Sequence, residues 1–449
     1  MNSFSELIGS LSSFLWGWPM IILLLGTHIY LTVRLKFPQR KIFTAIKLSV
    51  KSDGGKSKGD VSQFASLATS LAATVGTGNI IGVATAVSLG GPGAVLWCWL
   101  TGLFGIATKY SEGLLAIKYR VKARGGQMIG GPMFALDRGL GLKWLATLFC
   151  VFTAFASFGI GNTVQSNAVS TILSEACGIN PLATGIICAS LIALVLIFGV
   201  KGIAKVCNWF VPIMAGFYII GCLLILALNH THLLAALKLI VESAFTPSAA
   251  GGGFVGSSVI MVARYGIARG LFSNESGMGS APIIAAAART KNPVQQALVS
   301  SSATFWDTVV ICALTGLVLV SSIVAYPDID YVHGAVLTKE AFGKLPVVGP
   351  FILTFGIVTF SLSTILGWYY YGEKAVEYLS RGRRLVKWFK VLWIAGILVG
   401  AVANLTVVWD IADCMNALMA IPNLVSLILL SGVIAKETNK WLWKRKTND

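Results

Sequence analysis

Apolar residues along this chain fall into long blocks separated by short basic stretches, and the blocks predict eleven membrane-crossing helices. One lies at about 14–33. Ten more follow at 61–89, 92–118, 143–174, 181–200, 206–229, 257–288, 293–321, 349–375, 388–408 and 411–434. The amphipathic segment 233–250 predicts a surface helix, and Ala249 to Gly253 a glycine-rich joint behind it. Two blocks are interrupted. One carries Ala-Ala-Thr-Val-Gly-Thr-Gly-Asn-Ile-Ile-Gly at 72–82, the other Phe-Ser-Asn-Glu-Ser-Gly-Met-Gly-Ser at 272–280. Glycine costs a helix roughly 1 kcal/mol against alanine, so closely spaced glycines predict helices that open in mid-span. In lipid, freed backbone groups are tolerated only when buried in protein or lining a wet cavity, where they can bind something. The other reading of Gly76, Gly78 and Gly82 is a small-residue face for close helix packing.

Composition narrows the class. With 449 residues, 55% hydrophobic and 12% charged, the chain fits a polytopic membrane protein and not a soluble enzyme. The net charge of +17 does not point to nucleic acid, because 30 Lys and Arg fall on one side of the predicted spans and 3 on the other. That imbalance predicts the N-terminus outside and the C-terminus in the cytoplasm; the membrane expected is a plasma membrane of the bacterial inner-membrane kind. Spans one to five and six to ten of the ten then run with opposite topology, an inverted repeat. The domains expected are an extra N-terminal helix with a basic loop (1–60), a first five-helix repeat (61–229), an extracellular connection (230–256), a second repeat (257–435) and a basic cytoplasmic tail (436–449). Eight scattered cysteines without a CxxC pair and four histidines without ligand spacing predict neither a zinc site nor a disulfide framework. No basic stretch precedes Arg34, so no cleaved signal peptide is expected.

The candidate chemistry sits at the interruptions. Amides near Thr77, Gly78 and Asn79, at the start of a half-helix, suit a carboxylate. Carbonyls of Ala72 and Val75, at the end of the preceding half, suit an alkali cation. Gln165, at mid-depth in the third of the ten spans, offers a donor and an acceptor to a solute, or else an interhelical hydrogen bond. Ser363 and Thr364 add two hydroxyls to a sodium site, or else bond back to their own helix. Trp368, one turn on, walls a pocket or packs. Glu275, Asp307, Arg264 and Arg269 are intramembrane charges that need partners. Glu275 either accepts hydrogen bonds from freed amides or carries a proton. The arginines either pair with Asp307, Asp410 or Asp413 as a gate or find other partners.

With those strings in view, the sequence resembles the alanine or glycine:cation symporter family over nearly its whole length. The marks are AATVGTGNIIG at 72–82, LGGPGA at 89–94, ATKYSE at 107–112, GGPM at 130–133, FGIGNTVQ at 158–165, GLFSNESGMGSAP at 270–282, LGWYYYGE at 366–373 and AIPNL at 420–424. The resemblance implies an all-α, leucine-transporter-like fold of ten core helices and sodium-coupled import of alanine or glycine by alternating access. A proton-coupled transporter of small amino acids with the same fold is the alternative. It also implies that Thr74, Thr77, Gly78, Asn79, Gln165, Asn274 and Trp368 surround the amino acid, and that sodium lies among Ala72, Val75, Ser363 and Thr364. Sodium is then the coupling ion; no other cofactor, no nucleic acid and no obligate protein partner is inferred. A channel would want repeated pore rings, and a membrane enzyme would want paired acids or a nucleophile with its base; neither pattern appears.

Overall fold

Serine begins both interrupted helices. Ser62 accepts from the Ala65 amide at 3.0 Å and Ser258 from the Met261 amide at 3.3 Å, so each first turn has a side-chain cap. In the computed structural model, which describes residues 2–51, 57–123, 125–246, 258–380, 384–403 and 406–443, helix occupies every predicted block. The predicted joint at 249–253 and the end of the basic tail at 444–449 lie outside the described residues. Among the described residues, seven helices are long and apolar enough to cross a membrane, or eight if the bent pair Gln63–Thr74 and Thr77–Gly90 counts as one span. The other three predicted spans are helical but fall outside that measure. Ala94–Lys118 is long enough but not apolar enough, and Pro181–Leu196 and Val259–Asn274 are 16 residues each.

Some helices lie where none was predicted. Asn2–Leu15 precedes the first span, Ile42–Val50 sits in the first basic stretch, and Gly334–Gly343 follows the seventh of the ten spans. A two-strand antiparallel hairpin pairs Val121 with Ile129 and Lys122 with Met128. The predicted surface helix is present as Leu233–Phe245.

The apolar surface faces outward. Ile187, Leu194, Trp209, Ile213 and Ile220 are all more than half exposed along Pro181–Leu196 and Gly199–Leu228. Charged and amide side chains are buried instead, among them Lys109, Glu112, Asn274, Glu275 and Asp307. A soluble protein inverts that distribution, whereas a bilayer solvates apolar flanks and pushes polar groups into the bundle. Lys109 and Lys374 therefore correct the charge count made from sequence. Both were placed with the basic loops, yet they are 1% and 4% exposed, and the imbalance survives without them.

The two interrupted spans run in opposite directions. Val61, at the start of the first, forms a parallel bridge with Ala288, at the end of the second. At the far end, Gly90 of the first lies against Val262 and Tyr265, near the start of the second. Both interruptions come to the middle of the bundle, where Gly78 faces Phe272 and Ser273.

Candidate functional site

The first interruption is a true break. Helix Gln63–Thr74 ends, Val75 and Gly76 are extended, Thr77–Asn79 make one 3-10 turn, and helix resumes at Ile81 after a bend of 66°. Asn79 closes the gap. Its Oδ1 accepts from the Gly76 amide at 2.9 Å, and its Nδ2 donates to Asp307 Oδ1 at 2.7 Å. Of the amides the sequence marked as free, Asn79's is taken, donating to Gly76 O at 3.2 Å; those of Thr77 and Gly78 donate to no backbone group among the described residues. Because the Gly76 amide turns to Asn79, the Ala72 carbonyl loses the donor a continuous helix would give it.

Val348–Ser380 packs directly on this break. A Cβ on Gly367 would come within 2.6 Å of the Ala73 Cβ, so a side chain there would push the two apart. That closeness brings Thr364 Oγ1 to 3.5 Å from Val75 O. Thr364 also donates to Phe360 O at 2.9 Å, and the Ser363 hydroxyl donates to the same carbonyl at 2.8 Å. Back-bonding and a position beside Val75 thus coexist for Thr364. For Ser363 the described partner is its own helix.

Gln165 reaches the break from the other side. Its Nε2 donates to Ile160 O at 3.0 Å and to Thr77 Oγ1 at 3.4 Å, while its buried Oε1 has no partner among the described residues. Thr364 Oγ1 and Gln165 Oε1 both face Gly76, at 2.8 and 3.7 Å from where a Cβ would stand. Thr74 bonds back to Ser70 O at 3.3 Å. A π-turn at Gly159–Thr163, which the sequence pattern did not predict, precedes Gln165. It lets Gly161 accommodate Trp368, whose Cβ lies 2.2 Å from the position a Gly161 Cβ would take.

The second interruption is held by neighbours. Helix Val259–Asn274 ends at Glu275 in the left-handed region (φ 51°), Gly277 and Gly279 follow at φ 90° and 87°, and one helical turn, Pro282–Ala285, closes the segment. Lys109 Nζ donates to Asn274 O at 2.8 Å. Glu112 Oε1 accepts from the Gly277 amide at 3.1 Å, the Gly279 amide at 3.0 Å and Asn423 Nδ2 at 2.7 Å. Glu275 accepts from Trp368 Nε1 at 3.1 Å and from Ser280 Oγ. Asn274 keeps a buried Nδ2 with no partner among the described residues. Lys109, Glu112 and Asn423 were missed as site residues. The available signal was two ionisable residues three apart, one helical turn, inside an apolar block.

Asp307 ties the breaks together, accepting from Asn79, from Ser273 Oγ at 2.9 Å and from Thr308 Oγ1 at 2.7 Å. Among the described residues it does not pair with the arginines. Arg264 and Arg269 instead line a cavity of about 240 Å³ with Asp410, Asp413, Trp16 and Phe272, with no arginine–aspartate contact within 4 Å among the described residues. At the opposite end of the bundle the two broken spans are tied together. Around the Val61–Ala288 bridge, Arg120 donates to Ala286 O, Ala288 O and Lys58 O at 2.9–3.1 Å, and Asp60 accepts from the Met128 amide at 2.7 Å.

The chain is 48% identical over 450 residues to the sodium/alanine symporter AgcS of Methanococcus maripaludis, covering 99% of this chain and 98% of that one. It is 38% identical to a probable sodium/glutamine symporter, GlnT, of Bacillus subtilis, over 96% of this chain and 89% of the relative. Among solved structures, MhsT in complex with L-phenylalanine superposes with a TM-score of 0.57 at 16% identity, covering 86% of this chain and 91% of that one. The manganese transporter of Eremococcus coleocola does so with 0.56 at 14% identity, over 85% and 81%. Identities that low speak for the fold alone, a leucine-transporter-like bundle. A sequence model of the sodium:alanine symporter family matches residues 1–449, and the chain belongs to that family of membrane transporters, which are not enzymes.

Proposed function

We propose that the protein imports alanine, glycine or both, coupled to sodium entry, by alternating access around the first break. One observation carries the reading. A buried acceptor without a partner among the described residues, Gln165 Oε1, and the Thr364 hydroxyl meet at Gly76, where Val75 has left the helix. Leaving a buried polar atom unpaired costs about 1–3 kcal/mol, which a bound solute's ammonium group would relieve. The Thr77 and Gly78 amides and Asn274 Nδ2 would receive the carboxylate, Thr74 and the Asn79 backbone would border it, and Trp368 would wall the side chain. Sodium would lie among the carbonyls of Ala72 and Val75 and the hydroxyls of Ser363 and Thr364. The name of the archaeal relative, a sodium/alanine symporter, supports the pairing of ion and solute.

The antiparallel run of the two broken spans supports an inverted repeat of 61–229 and 257–435 behind an extra N-terminal helix. The basic imbalance supports an extracellular N-terminus. With that orientation, the Arg264–Asp413 cavity faces outward and the Val61–Ala288 bridge closes the cytoplasmic side. Radiolabelled alanine and glycine uptake into proteoliposomes, with and without a sodium gradient, tests the proposal. Accumulation that needs inward sodium is expected, and uptake indifferent to sodium would overturn it. The proton-coupled reading finds support in three buried carboxylates, Glu112, Glu275 and Asp307, that share the buried Lys109 as an electrostatic neighbour. Uptake driven by a pH gradient without sodium would favour it.

A further inference from the structure

Trp368 is held on two sides. Gly161, in the π-turn of the third core span, leaves room for its Cβ and ring base. Its indole nitrogen donates to Glu275 Oε1 at 3.1 Å, across from the second break. The indole is fully buried, and its edge meets the Tyr371 ring at a centroid distance of 5.7 Å. Glu275 is itself fixed. Its backbone sits in the left-handed region at the end of Val259–Asn274, and its other oxygen accepts from Ser280. Both carboxylate oxygens are engaged by protein donors, which fixes the plane of the carboxylate. A hydrogen bond from a buried indole to a carboxylate orients the ring as well as satisfying the N–H.

We propose that Glu275 is a positioning residue that sets the size limit for the transported amino acid by pinning the Trp368 indole. It touches the ring and not the solute. With the ring pinned, the pocket between Gln165, the first break and Trp368 closes on a hydrogen or a methyl group. With the ring released, longer neutral side chains enter. The inference rests on the proposed substrate site, since it takes Trp368 as its wall. The rival account gives Glu275 a role through its charge, opposing the nearby Lys109 ammonium or carrying a proton.

Two substitutions separate geometry from charge. Glu275→Gln keeps a carbonyl oxygen at the same reach and removes the charge. Glu275→Asp keeps the charge and withdraws the oxygen by one methylene. The readout is alanine uptake in proteoliposomes, its KM, and its inhibition by neutral amino acids of increasing size from glycine to valine, glutamine and leucine. Glu275→Gln is expected to match the unsubstituted protein in KM and in the inhibition series. Glu275→Asp is expected to raise the alanine KM by about tenfold and to let the larger amino acids compete, as befits one lost charge-assisted hydrogen bond. The opposite pattern, a failed glutamine variant beside a normal aspartate variant, overturns the proposal in favour of charge. Two unchanged variants, or two that lose transport alike, also overturn it. If Glu275→Asp is not recovered in the membrane, Trp368→Phe removes the indole donor instead; a broadened series supports the proposal and an unchanged one overturns it. The underlying reading fails separately, when the unsubstituted protein takes up neither alanine nor glycine.

Discussion

The two breaks sit side by side in mid-bundle, both glycine-rich and both carrying an asparagine, yet they are stabilised in different ways. The first is closed by its own side chain: Asn79, steadied by Asp307, takes the Gly76 amide, and among the described residues the other groups around the gap are left unpaired or shared with Gln165 and Thr364. The second is closed from outside. Lys109 and Glu112 on Ala94–Lys118, Asn423 on Thr406–Leu429 and Trp368 on Val348–Ser380 each bond a group of the loop 274–280 or its flank. A break that must bind something keeps donors and acceptors unspent. A break that serves as its backstop has most of them satisfied by protein, with Asn274 Nδ2 the exception here. Substitutions around the second should therefore act first on folding, and those around the first on ligand affinity.

Glu112→Ala should give the largest effect. It strips one acceptor from two backbone amides and an asparagine, leaving three buried donors to find new partners. At about 1–3 kcal/mol for each donor left unpaired, the loss rivals the stability of a whole domain. Little folded protein should be recovered in detergent, and thermal unfolding of what remains should shift down by many degrees. A variant of normal stability with altered alanine affinity would erase the distinction between the breaks.

Removing both hydroxyls with Ser363→Ala and Thr364→Ala should do the reverse. Each hydroxyl bonds the Phe360 carbonyl of its own helix, so their loss costs the fold little. The sodium concentration for half-maximal uptake should rise by roughly tenfold or more, the equivalent of about 1.4 kcal/mol or above. Thr364→Ala alone should carry most of the change, since Thr364 and not Ser363 approaches Val75 O. A sodium titration of the two single variants checks this, and equal effects would put Ser363 back beside the ion. Asn79→Ala belongs between the two classes. Its side chain is consumed by Gly76 and Asp307, so the variant should lose about 1–3 kcal/mol of stability in thermal unfolding before it loses alanine affinity.

The contrast also explains what was legible in the sequence. The first break announces itself, because Gly76, Thr77, Gly78 and Asn79 make poor helix and the reason lies in those residues. The second is visible for the same cause at Ser276, Gly277 and Gly279. Its supports are not, because they are single residues on helices far away in sequence. Lys109 and Glu112 occur in a block whose end carries ordinary loop charges, and Lys109 was counted with them. Asn423 lies inside an apolar run, where one amide gives no hint of its partner. The approach of Thr364 to Val75 depends on Gly367 meeting Ala73, a contact 294 positions apart that no local pattern encodes. The π-turn before Gln165 depends likewise on the Trp368 ring it accommodates. The helices themselves were legible because lipid demands long apolar runs, a constraint written along the chain and not between distant parts of it.

Gln165→Ala should give the smallest total effect and the sharpest one. Its side chain does two opposed things in the structure. Nε2 donates to Ile160 O and Thr77 Oγ1, which stabilises, while Oε1 is buried without a partner among the described residues, which destabilises. Removing both should nearly cancel, leaving thermal stability without alanine within about 1 kcal/mol of the parent. The alanine KM should rise about tenfold, because the acceptor that waits for the ammonium group is gone. Added alanine stabilises the parent by mass action and should stabilise the variant less at the same concentration. Unfolding curves with and without alanine, run beside uptake, separate the two roles. If the variant is much less stable without alanine and equally protected by it, Gln165 is an interhelical strut, and the first break is held from outside just as the second is.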